Sequence, residues 1–401
     1  MTRRAILAAA VCLLLAGPAS AQQLTTLDYF EIENLIARYG HGFDSGADQG
    51  YMWADVFTPD GVFMDGSGRE FRGRDVIAQF GSGGANSRKS PTSVGHFISN
   101  ILIEPVAGGA TARSYVMIGG GGGRGRGAAP AAGAPPAPAF GMGGTYYDRL
   151  VKTPVGWRIQ ERVLVRPGAT VDAIRAATAR TTPPSSLVPA PPDASGSLPG
   201  ALGLTADDHA RILQLQLTDQ QVVSNVMITP VANGAVVKAY RMRVEKTDAG
   251  TAIGPEGIYF TFFAKAGNAW QPRDGHYMPL GSPVPEAAQQ YAPIRAIVTL
   301  PQAPAMAAGP QAFVSADDYA AIRQLYARTA ADEDKGEPHH YIYNVRVEAV
   351  PGGARGSARY LVVNLGGQGR PTTVSESGEY RDELVKAGGA WSFRARSSVP
   401  R

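Results

Sequence analysis

Three stretches of this chain carry one pattern, and a chain that repeats itself folds as repeated units. Ser93-Val-Gly-His-Phe-Ile-Ser-Asn-Ile-Leu-Ile-Glu-Pro-Val106 returns as Gln220-Gln-Val-Val-Ser-Asn-Val-Met-Ile-Thr-Pro-Val231 and as His339-His-Tyr-Ile-Tyr-Asn-Val-Arg-Val-Glu-Ala-Val350. Each copy sets an asparagine before alternating apolar residues, then a break and another strand-like run. Alternation at period two buries one face of a strand and wets the other. A helix-like segment precedes each copy, and Gly-x-Tyr and a single tryptophan follow it. Superposing the copies places Asn100 on Asn225 and Asn344, Tyr146 on Tyr259 and Tyr380, Trp157 on Trp270 and Trp391, and Asp148 on Asp382.

The first copy is the most complete. Tyr29, Ile32, Leu35, Ile36 and Tyr39 recur at three- and four-residue spacing, which predicts a helix over 28–44 with Thr25 or Thr26 as its cap. A short helix over 47–57, a turn at Thr58-Pro59-Asp60-Gly61, a strand at 61–64 and a helix at 74–80 follow. Four antiparallel strands are then expected at 93–106, 111–118, 145–152 and 157–165, the middle two joined by a Gly/Pro-rich loop at 119–144. The later copies keep one helix (206–217 and 316–331) and four strands, and lack everything between the first helix and the asparagine strand. The expected class is α+β. The chain divides into a leader (1–21), a complete unit (22–167), a linker (168–203), a truncated unit (204–281), a second linker (282–312) and a second truncated unit (313–401).

Arg3 and Arg4, an apolar run and Ala19-Ser20-Ala21 have the form of a cleaved export signal, so a periplasmic or secreted protein is expected. The single cysteine, Cys12, leaves with that signal, and disulfide, thiol and thiolate-metal chemistry leave with it. Removing Arg3 and Arg4 lowers the formal charge from +4 to +2, which gives no basis for a nucleic-acid partner. No stretch reaches the length of a membrane span.

The first unit resembles the SnoaL-like branch of the nuclear transport factor 2-like superfamily. The resemblance rests on Asp28, Ile32, Leu35, Tyr39 and Asp44, on Phe57-Thr-Pro-Asp-Gly61, on His96 and Asn100, and on Tyr146-Tyr-Asp-Arg-Leu150 with Gly156-Trp-Arg158. It implies a cone: a curved antiparallel sheet around a cavity, with helices over its mouth. It further implies dehydratase, isomerase, cyclase or epoxide hydrolase chemistry, or binding alone. Residue by residue it places Tyr39, Asp44 and His96 in the site, and Arg162 as a polar pocket residue. Trp53 and Asn100 are further candidates for substrate contact.

A carboxylate and an imidazole facing a small apolar space can move protons without metal or organic cofactor. Asp44 fixes the imidazole tautomer, His96 takes and returns a proton, and Tyr39 donates to a developing enolate oxygen. The expected partner is a small apolar molecule. The bland readings are that Asp44 bonds backbone at its helix end, His96 lines an edge, Tyr39 and Trp157 are core, and Asn100 is framework. His41, between Gly40 and Gly42, is expected at the surface. In the third unit Asp334 and His340 fall on Asp44 and His96, but Thr329 replaces Tyr39. The alternative function is a non-catalytic binding or assembly protein of tandem cones, with units packing on one another or forming a homodimer.

Overall fold

The computed structural model describes residues 23–83, 94–120, 139–177, 179–180, 203–218, 221–231, 234–247, 250–267, 269–279, 312–333, 338–365 and 372–400. The expected leader, most of the Gly/Pro-rich loop, most of both linkers, and Asp334 lie outside those residues.

The first unit begins with α1 (Thr26–Ser45). Thr25 caps it: its hydroxyl accepts from Asp28 N, and the Asp28 carboxylate accepts from Thr25 N at 2.8 Å. A 3-10 turn (Asp48–Gly50) leads into α2 (Tyr51–Ala54), then β1 (Phe57–Met64), β2 (Arg69–Arg72) and α3 (Arg74–Gly83). The long strands are β3 (Val94–Val106), β4 (Gly109–Gly120), β5 (Ala139–Thr153) and β6 (Gly156–Val165). A short α4 (Val171–Ala176) and β7 (Ala179–Arg180) end the unit.

The sheet runs β3-β4-β5-β6-β1-β2-β7. Here the sequence expectation needs correction. Thr58–Gly61 was read as a stop, yet β1 passes through it with a register irregularity between Phe57 and Val62, and continues parallel to β6. Pro59 and Asp60 tolerate this because both are exposed. β1 and β2 thereby widen the cone wall behind α2 and α3.

The second unit is α5 (Ala206–Leu215) with β8 (Gln221–Val231), β9 (Gly234–Thr247), β10 (Gly250–Ala266) and β11 (Ala269–Pro279). The third is α6 (Ala316–Glu333) with β12 (His339–Val350), β13 (Gly353–Asn364), β14 (Thr373–Ala387) and β15 (Ala390–Pro400). Both sheets are antiparallel meanders.

One lock recurs in every unit. The first-turn aspartate of the helix accepts the tryptophan indole N–H and a lysine ammonium from the last hairpin. Trp157 and Lys152 reach Asp28 at 2.8 and 2.5 Å; Trp270 and Lys265 reach Asp208 at 2.7 and 2.8 Å; Trp391 and Lys386 reach Asp318 at 2.8 and 2.6 Å. These hydrogen bonds hold the Asp28 carboxyl down at about 2, against burial that alone would raise it.

The repeated asparagine closes the three units into a ring. Asn100 accepts from Ile342 N of unit three at 2.7 Å, Asn225 from Ile98 N of unit one at 2.8 Å, and Asn344 from Val223 N of unit two at 2.8 Å. Every partner lies two residues before the next asparagine. All three sit at positive φ (52°, 49° and 52°) in a bulge at one register position. Asparagine tolerates that conformation, and its side chain replaces the interrupted ladder bond. A second ring runs the other way through the helices. Asn34, Gln214 and Gln324, each six residues after the lock aspartate, accept from Ile228 N, Val347 N and Ile103 N at 2.7, 3.0 and 2.8 Å. Between the rings the three sheets share a core that includes Phe97, Met117, Val222, Tyr240, Tyr341 and Val363.

This closure can be measured. Asn344→Ala removes the bonds to Val223 N, Gln221 O and Thr218 O and leaves a left-handed backbone without asparagine. It is expected to lower unfolding free energy by about 2–4 kcal/mol in urea titration. Asn344→Gly, which relieves only the backbone, should lose less.

Acid should loosen the molecule through its buried histidines. His209 stacks on Phe30 at 5.8 Å, and burial draws its pKa from 6.5 to about 4. The unfolded chain takes that proton more readily, so stability is full above about pH 6.5 and falls as pH drops toward 4. Between pH 7 and 5 this one group should remove about 2 kcal/mol. His209→Phe, which keeps the stack, should flatten the dependence of the urea midpoint on pH.

Candidate functional site

Asp44 is the second-to-last residue of α1, which stops at Gly46 in the left-handed conformation. His96 stands at the start of β3. The structure joins them directly. The carboxylate takes His96 N on Oδ2 at 2.8 Å and His96 Nδ1 on Oδ1, so both oxygens bind one residue. Both side chains are buried, Asp44 at 2% and His96 at 5% relative exposure. A carboxylate that accepts at Nδ1 keeps the proton there and leaves the lone pair on Nε2, the form of imidazole that acts as a base.

Aromatic rings surround the pair on one side. Phe43 meets the His96 ring edge-on at 5.0 Å, and itself packs on Trp53 at 4.7 Å and Phe80 at 5.9 Å. Phe43 and Phe80 are only part-buried, so apolar surface remains accessible beside His96.

Deeper in the cone lies a second cluster. Arg162 holds Asp148 with two parallel bonds of 2.6 Å, and neither side chain has any exposed surface. Its guanidinium lies over the rings of Tyr39 at 3.9 Å and Tyr146 at 4.3 Å. Burial alone would draw Arg162 down, but Asp148 outweighs it, so the cation is fixed. Burial pushes the Tyr39 and Tyr146 hydroxyls up, which keeps both as neutral donors. Tyr39 also packs against Trp53, Phe57 and Phe63 at 5.6, 6.1 and 6.4 Å.

Of the residues singled out in the sequence, the structure therefore brings Asp44 and His96 into contact. Tyr39 belongs to the floor with Arg162, and Trp53 lies between floor and pair. The third unit repeats the floor: Arg396 binds Asp382 at 2.9 Å and lies over Tyr380 at 4.4 Å, while Tyr326 bonds Asp382. Tyr326 comes from one turn earlier on its helix than Tyr39, which is how Thr329 is accommodated. The second unit has Thr261 and Gly275 at the paired positions. Arg162, expected as a pocket residue, gives Nε and Nη2 to a pairing that unit three shares, which makes it part of the frame. Asn100 needs the same correction as a substrate candidate: its amide is committed to His340 O at 2.8 Å and Ile342 N.

Sequence reasoning missed what unit two supplies. Tyr240, on β9, donates its hydroxyl to Asp44 Oδ2 at 2.8 Å. Lys238 lies two residues earlier on the same strand, within reach of the Asp44 charge; burial draws its ammonium down to about 8 against that attraction. His41 is fully buried, contrary to the surface position expected for it, and donates from Nε2 to Asn225 O at 2.8 Å. Burial, and then Lys238, holds its pKa well below the usual value, so it is neutral. Its flanking glycines are what let α1 approach so closely. A Cβ on Gly40 would stand 2.2 Å from Asn225 Nδ2, and one on Gly42 2.9 Å from the Trp53 backbone. The sequence signal was present only as Tyr115 and Tyr240, opposite Ser99 and Ser224 in corresponding hairpins.

Among the described residues, no group of three or more His, Cys, Asp or Glu is placed to hold a metal ion. No helix among them is long and apolar enough to cross a membrane.

Comparison with solved structures finds likeness to parts of this chain. A protein of unknown function from Mycobacterium tuberculosis is 25% identical, covering 37% of this chain and 82% of its own, with a TM-score of 0.27. An NTF2-like protein with a cystatin-like fold from Novosphingobium aromaticivorans is 24% identical over 44% of this chain and 97% of its own, at 0.30. ActVI-ORFA from Streptomyces coelicolor is 19% identical over 34% and 96%, at 0.27. No protein of curated function matches. The family model of the SnoaL-like domain matches residues 25–163 and 312–397, together more than half of the chain, and the chain belongs to that family.

Proposed function

We propose that the first unit is a cofactor-independent acid–base enzyme, exported from the cytoplasm, that dehydrates or isomerises a small, largely apolar molecule. The observation that carries this reading is the buried contact between His96 Nδ1 and Asp44, with part-buried Phe43 and Phe80 beside the imidazole. His96 Nε2 withdraws a proton from the carbon beside a carbonyl, and the electron pair passes to the carbonyl oxygen. Collapse of that enolate expels a hydroxyl from the next carbon, which leaves as water with the proton His96 carried. Returning the proton to a different carbon of a conjugated enolate moves a double bond instead. In both cases atoms balance without oxidant or metal, and Asp44 stabilises the transient imidazolium.

The test is a panel of small β-hydroxyketones, aliphatic and aromatic, followed by ultraviolet absorbance of the enone and by exchange of the acidic proton in deuterium oxide. Exchange above the buffer rate that disappears in His96→Ala supports the reading. Exchange that the variant retains sinks it. The alternative, a binding scaffold without chemistry, is favoured by Trp53, Phe57 and Phe63 filling the space around Tyr39. It requires that ligand copurify with wild type and His96→Ala alike, with no turnover by either.

A further inference from the structure

The carboxylate of Asp44 has three donors, and one comes from another unit. Oδ2 takes His96 N and the Tyr240 hydroxyl, both at 2.8 Å, which leaves Oδ1 for the imidazole. Tyr240 is 1% exposed and cannot swing away. His41 of α1 lies against its ring at 4.5 Å on one side, and Phe97 of β3 at 5.3 Å on another. His41 and Asp44 lie on one face of α1, three residues apart, and each is bonded to unit two: His41 to Asn225 O, Asp44 to Tyr240.

We propose that Tyr240 is a positioning residue of the Asp44–His96 pair, so that the acid/base site of unit one is completed by unit two. The hydroxyl occupies Oδ2 and sets the rotation of the carboxylate, which in turn sets the imidazole plane. Burial and the Asp44 charge push the Tyr240 hydroxyl well up, so it remains a donor at any pH the fold survives. Lys238 stands on the same strand as a second charge that unit two contributes toward Asp44. The tyrosine at the same hairpin position in unit one, Tyr115, meets His339 of unit three at 5.4 Å, and there its hydroxyl accepts from Arg113 at 2.5 Å. Only the junction of units one and two joins a tyrosine to an Asp–His pair among the described residues. The truncated second unit, which matches no part of the family model, thereby acquires a role beyond filling the ring.

This inference rests on the acid–base reading for its functional meaning, but its geometry is tested without substrate. The probe is the His96 Nδ1 proton in the intact chain, observed by proton NMR with nitrogen-labelled histidine and assigned by its loss in Asp44→Asn. In Tyr240→Phe the resonance is expected to shift and its exchange with solvent to quicken about tenfold, the factor that one net hydrogen bond is worth. Tyr115→Phe, at the corresponding position of unit one, should leave it unmoved. If Tyr240→Phe does not fold, 3-fluorotyrosine at position 240 strengthens the donor without changing its packing and should shift the resonance. A resonance with unchanged position and exchange in the folded Tyr240 variant overturns the proposal, and so does its absence from the wild type. A shifted resonance in a protein that exchanges no substrate proton leaves the junction standing and removes the enzyme reading.

Discussion

An alanine in place of His96 is expected to slow proton abstraction by about 10²–10⁴-fold, the range a positioned general base contributes. The buried site offers few substitutes: Asp44 lies behind the imidazole with both oxygens occupied, and His41 is held by Asn225 O. Asp44→Asn should be nearly as damaging for a different reason. An amide can present its NH₂ group to Nδ1, which reverses the tautomer and places the proton on Nε2, where the base is needed. KM should change little in Asp44→Asn, because the amide fills the same volume and keeps Phe43 and Phe80 in place. A series in which both variants lose only binding, with kcat intact, would show that the pair grips ligand and moves no proton.

The Arg162–Asp148 pair should give the largest effect on stability. Both groups are wholly buried, and each carries the other's charge through two bonds of 2.6 Å. Arg162→Met strands the Asp148 carboxylate in the interior, and such a half-pair costs about 3–5 kcal/mol. It also removes the guanidinium lying over Tyr39 and Tyr146. The double variant Arg162→Met with Asp148→Leu removes both charges and should recover most of the loss, measured as urea midpoints. A double variant as unstable as the single one would place the pair's value in shape, with charge incidental. The less buried Arg396–Asp382 pair of unit three, whose arginine is 21% exposed, should respond more weakly to the same changes.

These residues also show what was legible beforehand. Periodicity located the long helix of each unit and the long strands of all three, because each buries one face against its own sheet; α4 lies in a stretch read as linker. Asp44 and His96 were legible through the family resemblance, which sets the end of the first helix against the start of the asparagine strand within one unit. Tyr240, Lys238 and His41 were not, since their positions depend on which unit lies against which, and no local pattern encodes that. Arg162 was misread for a related reason. A polar residue in an apolar strand signals either a pocket or a buried partner, and only the Asp148 register across β5 and β6 decides it. β1 was cut short because Pro59-Asp60-Gly61 has turn chemistry, and its exposure at a register irregularity overrode that chemistry.

The ring of asparagines has one more consequence. In an assembly of three identical chains, any change of residue appears at every subunit contact simultaneously, so a contact that helps one site must suit all. Here the three contacts belong to a single polypeptide and can diverge one at a time. Tyr240 faces a carboxylate, Tyr115 faces His339, and the corresponding hairpin position of the third unit holds Arg359 opposite Tyr343. One subunit can then keep the chemistry while its neighbours are reshaped as parts of its wall, a division of labour closed to a symmetric trimer.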